Sequence, residues 1–239
     1  PVNQGYKFSI GNTARLAGRE FGYLGVLSYD NGYSHRVEER NTFRLGLGAD
    51  GKQALSPFTA YTVERSTNEI GWGGLLNTSV RFSPAHKVSL KTIYSHSAED
   101  EARTWEGFNS DRNTDMRSSR LLYIQRGLFS GQLSGEHDFM MGRPEGRSSN
   151  LTWRAVFSRA TRNEPDTREV VYEERNGKWV FRDITQSGSR FFFDLTDDEF
   201  SSLIDWTIPF GSDATFKTGG LWRNRDRVFD ARRFRFQPA

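Results

Sequence analysis

Over residues 70–97 the chain alternates, one position at a time, between apolar or aromatic side chains and polar ones. Trp72, Gly74, Leu76, Thr78, Val80 and Phe82 fall on one side of this rhythm, and Gly73, Leu75, Asn77, Ser79 and Arg81 on the other. After Ser83, Pro84, Ala85 and His86 it resumes, with Val88, Leu90, Thr92, Tyr94 and His96 set against Ser89, Lys91, Ile93 and Ser95. A period of two marks a strand whose two faces meet different surroundings. Pro belongs in a turn and not in a central ladder. The stretch therefore predicts a hairpin, each leg close to the roughly 9–11 residues with which a tilted strand crosses a bilayer.

The rhythm recurs along the whole chain. Tyr6, Phe8 and Ile10 alternate with Lys7 and Ser9, and Tyr23, Gly25, Leu27 and Tyr29 share a face in 21–30. Residues 117–139 form one long alternating stretch, followed by 151–158, by 190–210 with a bulge expected at Asp197-Asp198-Glu199, and by 215–224. The expected architecture is all-β, an antiparallel up-and-down meander of about eight membrane-length strands. Its connections alternate in length. NTARLAGRE, SPAH, MMGRPEGRSS and FGSD are short, whereas 33–69, 96–116 and 161–189 are long and polar. The last of these carries its own hairpin, with Asn176-Gly177 between REVVYEER and KWVFRD, a strong turn signal. Keeping every long loop at one end is the habit of outer-membrane barrels, with short turns on the periplasmic side and large loops outside.

Composition sharpens this picture. Among 239 residues the hydrophobic fraction is only 35%, yet aromatics reach 14% and there are 23 Gly. Few aliphatics with many aromatics suit half-polar strands and argue against disorder. Lys and Arg total 33 against 30 acidic residues, a near balance that speaks against a dedicated nucleic-acid binder. The basic aromatic run 223–236 is interrupted by Asp226 and Asp230 and reads as a strand top entering a loop. No apolar run is long enough for a transmembrane helix. Without cysteine there are no disulfides or thiolate metal sites.

Candidate chemistry is sparse. His35, His86, His96 and His137 show no metal-ligand spacing. The acidic runs Glu99-Asp100-Glu101 and Asp197-Asp198-Glu199 offer oxygens of the kind calcium takes, but read first as solvated acidic segments. No catalytic pair, nucleophile elbow or phosphate loop is present, so neither enzyme nor cofactor is expected. Trp72, Tyr94, Trp153, Trp206 and Trp222 lie at or near the predicted strand ends, where amphipathic rings favour a membrane interface. Trp105, Phe108, Trp179 and Phe181 fall in the long loops, as solute contacts or as aromatics that pack those loops together.

Four blocks, IGWGGLLNTSVRFSPAHKVSLKTIYSHSAEDEAR, RLLYIQRGLFSGQLSGEHDF, LTWRAVFSRATRNEPDTREVVY and FKTGGLWRNRDRVFDARRFRF, in this order resemble the barrel of the TonB-dependent outer-membrane receptors. The nearest likeness is to the large ones that carry an N-terminal carboxypeptidase-regulatory-like domain. The resemblance implies a Gram-negative outer-membrane barrel of about 22 strands around a plug. Such receptors import scarce solutes (siderophore, vitamin, glycan or peptide) with energy from the TonB complex. Neither a plug nor a TonB box is recognisable here, and the sequence ends Gln-Pro-Ala, without the terminal aromatic of such barrels. The expectation is an internal barrel segment, residues 1–239, whose partners are lipid, the plug and remaining strands of the same chain, the TonB complex through that plug, and a small solute. A soluble β-sandwich or propeller-type binding module stands as the alternative.

Overall fold

A computed structural model describes residues 2–47, 52–140, 148–210 and 214–236. They form a single antiparallel sheet: β1 (Gln4–Leu16), β2 (Arg19–Leu47), β3 (Gln53–Ser83), β4 (His86–Asn109), β5 (Thr114–Met140), β6 (Ser148–Arg175), β7 (Lys178–Phe181), β8 (Ser189–Phe210) and β9 (Ala214–Arg235). The order is β1-β2-β3-β4-β5-β6-β8-β9, with the short β7 paired to β6. Every strand lies beside its chain neighbour, as the meander predicts. The sheet is not closed, and β1 and β9 are free edges along their whole length. No helix is present among the described residues.

Two turns explain how the register is set. Ala17 (φ 52°) and Gly18 (φ 75°) join β1 to β2, and Asn176 (φ 52°) and Gly177 (φ 74°) join β6 to β7. Two successive left-handed residues make the turn whose twist matches that of paired strands. Asn-Gly announced this in the sequence, whereas Ala-Gly did not. The expected nine-residue connection NTARLAGRE is therefore mostly strand, paired down to Leu16 with Arg19. Pro84 and Ala85 make the turn between β3 and β4 as expected. Of the other two expected short turns, 141–147 and 211–213 lie outside the described residues, as does the terminal 237–239. Their flanks are paired, Met140 with Ser148 and Phe210 with Ala214.

The three long loops are the main correction. Residues 33–47, 53–69, 96–109, 114–116 and 161–175 continue the strands instead of leaving the sheet: β2 and β3 stay paired from Glu20–Arg81 up to Leu47–Gln53. The chain accordingly has strands of 29 and 31 residues, far beyond the roughly 3–10 usual in globular proteins. Polar composition suggested loops, but strands that set a solvated outer face against an inner face holding Thr67, Glu101 and Ser118 are polar too. The basic run 223–236 is likewise strand, paired with β8 up to Ser189–Arg235.

The expected bulge at Asp197-Asp198-Glu199 is also absent, because register runs unbroken through these residues on both sides. Their charges alternate between faces and each finds a cross-strand arginine. Asp197 is bound by Arg225 and Arg227, Asp198 is held by Arg159 through two hydrogen bonds of 2.7 Å, and Glu199 lies 3.3 Å from Arg223. Register shifts occur instead at Thr42/Phe43, Arg81/Ser83, Leu121/Gln125 and Glu164/Thr167.

No second layer covers the sheet among the described residues. The buried apolar side chains, Val63, Ala98, Met116, Leu122, Ile124 and Val171, all belong to the end away from the tight turns Ala17-Gly18 and Pro84-Ala85. There Ser187, fully buried, uses its hydroxyl to accept the amide of Val171 and donate to its carbonyl, each at 3.0 Å. The side chain stands in for a ladder hydrogen bond just before β8 begins.

Candidate functional surfaces: an apolar band and a polar face

Residues directly opposite in an antiparallel pair share a face, so the register assigns faces across the sheet. Tyr6 meets Tyr29, Tyr29 meets Trp72, Trp72 meets His96, and the row continues through Gly127, Thr161 and Thr196 to Val228. The pattern continues on this face toward the tight turns, broken by the row end Arg159–Asp198–Asp226. It gathers Phe8, Ile10, Leu27, Leu76, Leu90, Leu133, Phe157, Phe200, Ile204 and Phe216, all exposed. The opposite face carries Lys7, Ser9, Asn77, Ser79, Lys91, Gln132, Ser134, Arg154 and Lys217. The parity read in 70–97 is continued by these residues in the other hairpins. Exceptions include the apolar Leu24, Val26, Leu128 and Val156 on the polar face and the charged Arg159, Asp198 and Asp226 on the apolar face. The run 72–82 spans about 34 Å at about 3.4 Å per residue. A tilt near 45° brings it to about 25 Å, the height of the apolar band on outer-membrane barrels.

The sequence-predicted aromatics separate into distinct places on this face. Trp72 and Tyr94 pack together, ring centres 5.0 Å apart, at the upper margin of the band. Trp153 and Trp206 lie at the turn end, Trp153 opposite Gly135 and Trp206 opposite Leu151. Trp222 sits further in, opposite Ser202 and 5.5 Å from Phe200. At the turn end the Trp153 indole donates to His137 Nε2 at 3.0 Å, and His137 Nδ1 lies 3.2 Å from His86 Nδ1. With Trp153 as donor, His137 carries its proton on Nδ1 and gives it to His86. Gly135 makes this possible, since a Cβ there would lie 2.3 Å from the Trp153 nitrogen. This His86–His137 pair escaped the sequence reading, because residues 51 apart meet only once the β4–β5 register is known.

The loop aromatics do not form one set. Trp105 stands on the polar face in the row Val63–Trp105–Ser118, its ring 4.6 Å from Tyr61. Phe108 is exposed opposite Ala60. Trp179 and Phe181 lie on β7, Trp179 under the Arg117 guanidinium at 4.5 Å and Phe181 edge-on to Tyr172 at 6.4 Å. Of the two readings open for these residues, the packing one describes Trp179 and Phe181, while Trp105 borders a polar surface.

Low on the polar face, Asn77, Ser79, Lys87, Ser89 and Lys91 line a trough of about 690 Å³. Lys87, on its lining, lies 3.9 Å from Glu136, and on the same face Arg81 lies 3.2 Å from Glu20. Higher up, Arg65 lies 3.3 Å from the buried Glu101. Asp166 is gripped by Arg190, whose Nε and Nη2 donate at 2.9 and 2.5 Å, and by Arg168 at 2.5 Å. These hydrogen bonds, Arg190's foremost, hold the Asp166 carboxyl below the usual aspartate range. Glu99-Asp100-Glu101 alternates between faces, as the other acidic run does, and no group of three or more His, Asp or Glu side chains converges on a metal position among the described residues.

Compared with known proteins, the chain matches no family profile and no curated sequence.

Proposed function

We propose that this chain is a segment of an outer-membrane β-barrel of the TonB-dependent receptor type, taking part in the import of a scarce solute. The apolar band meets lipid, the polar face lines the lumen, and the upper strand extensions stand outside the cell. One observation carries the reading: an exposed and mainly apolar face crosses all eight strands of the meander, broken by the charged row end Arg159–Asp198–Asp226, with no second layer to cover it among the described residues. In water a large exposed apolar patch promotes aggregation. In lipid it is the required solvent-facing side.

The free edges support the same reading. Unpaired backbone in hydrocarbon costs several kcal/mol per group, so barrels close. On this proposal β1 and β9 are paired by further strands of the same barrel, which also holds the plug that contacts the TonB complex. The test is partition. The chain is expected to require detergent, to enter lipid vesicles, and to have Trp72, Trp153 and Trp206 quenched by lipids brominated along the acyl chain. A chain that stays monomeric in plain buffer, with those indoles quenched by aqueous iodide, overturns the proposal.

A further inference from the structure

On the polar face above the band, one register row reads Arg36, Arg65, Arg103, Arg120. These four residues stand directly opposite one another on β2, β3, β4 and β5, and Glu169 on β6 ends the row. Directly opposed side chains have Cβ atoms about 4.5–5.5 Å apart, and like charges so placed destabilise a sheet. Four in succession are not what folding alone selects.

Their surroundings do not neutralise them. Arg65 has Glu101, and Glu38 and Glu169 stand nearby on the same face. No ion pair or side-chain hydrogen bond joins Arg36, Arg103 or Arg120 to another described residue, and the buried Arg103 Nε is without a partner. Arginines elsewhere on the upper strands are mostly engaged: Arg126 with Glu99, Arg162 with Glu164, Arg168 and Arg190 with Asp166, Arg175 and Arg182 with Glu173. Burial and the neighbouring Arg120 lower the Arg103 pKa below the usual arginine value, against the pull of Glu101 and Glu169. Trp105, two residues along β4 from Arg103 and packed at a tilt against Tyr61, gives the row an aromatic wall.

We propose that the Arg36–Arg65–Arg103–Arg120 row is a binding site for a multiply charged anionic solute, held through its carboxylate or phosphate groups by guanidinium forks on adjacent strands. The inference rests on the proposed function only in assigning this face to the lumen. The binding itself is read on the full chain in detergent, so its failure and a failure of membrane partition are separate results.

Calorimetric titration with inorganic pyrophosphate and with citrate is the test. Either anion is expected to bind the unaltered chain, and the stronger of the two identifies the phosphate or the carboxylate class. The double variant Arg103→Gln/Arg120→Gln is expected to lose at least ~10-fold in affinity. Arg223→Gln/Arg227→Gln, which removes two carboxylate-paired arginines from the same face, is expected to change it less than ~2-fold. Thermal unfolding adds a second readout. Relief of repulsion is expected to raise the midpoint of the Arg103→Gln/Arg120→Gln chain without anion, and pyrophosphate or citrate to raise that of the unaltered chain only. No binding by the unaltered chain, or equal losses in both double variants, overturns the proposal. So does a lowered midpoint in the Arg103→Gln/Arg120→Gln chain, which makes the row structural.

Discussion

Along β3, residues 72–82 leave Trp72 and Leu76 half exposed on one face with Asn77, Ser79 and Arg81 on the other. Residues 53–69 of the same strand bury Val63 and Thr67 on that polar side, while Ser66, Glu64 and Thr62 face outward. The strands are continuous, the hydrogen-bond ladder is the same, and the same face is the more exposed in both, yet that face changes from apolar to polar. Backbone pairing evidently does not decide what a face carries. The outward face is apolar at Trp72 and Leu76 and polar a few rows higher, at Ser66, Glu64 and Thr62. On the proposed reading that step is the outer surface of the membrane.

The largest expected effect breaks the upper half. Leu122, buried on the polar side, is expected to cost about 2–5 kcal/mol when replaced by Ala, whereas Leu121→Ala, next to it but on the exposed side, stays within about 0.5 kcal/mol. Denaturant unfolding of the two variants measures the difference, and equal losses mean that the burial at this end is misassigned. The lower half is tested by charge. Leu76→Arg is expected to lose about 2–4 kcal/mol in lipid vesicles, and Val37→Arg, on the same face but above the band, no more than about 0.5 kcal/mol. Two neutral outcomes place both positions in water.

The smallest effect depends on pH. Asp166 has its folded pKa depressed, so its contribution is fully present above the unfolded value of about 3.9 and fades as pH falls through the lower folded value. Asp166→Asn is therefore expected to be less stable than the unaltered chain at pH 7. That gap closes only below about pH 4. A gap that persists undiminished at the acid end assigns the effect to packing instead of charge.

The lower half was legible from residues alone. Alternation in 70–97 and 129–139 gave strands, faces and parity, because there the two faces carry unlike side chains. The upper half was not, since 33–69 carries polar residues on both faces and so lacks the contrast that makes a strand visible. The turn at Ala17-Gly18 was missed for want of an Asn or Asp, and the bulge at Asp197 was inferred from an acidic cluster whose arginine partners come from β6 and β9. The His86–His137 pair and the arginine row have no sequence signature of any kind. Both depend on register, a property of pairs of strands that no single segment contains.

The tight turn at Ala17-Gly18 has one more consequence, for the rate at which the sheet assembles. Because each long strand pairs with the next long strand, each ladder can grow outward from its own turn, and closing that turn costs only the entropy of a short loop, although the far ends of the ladders join residues as distant as Glu20 and Arg81. Pairing of this kind favours stepwise growth over one global search. Hairpin formation from a two-residue turn takes microseconds, so β1–β2 and β3–β4 are ready nuclei, zipping from the turn end upward. The long upper ladders, whose strands carry no alternation of their own, then inherit their register from below.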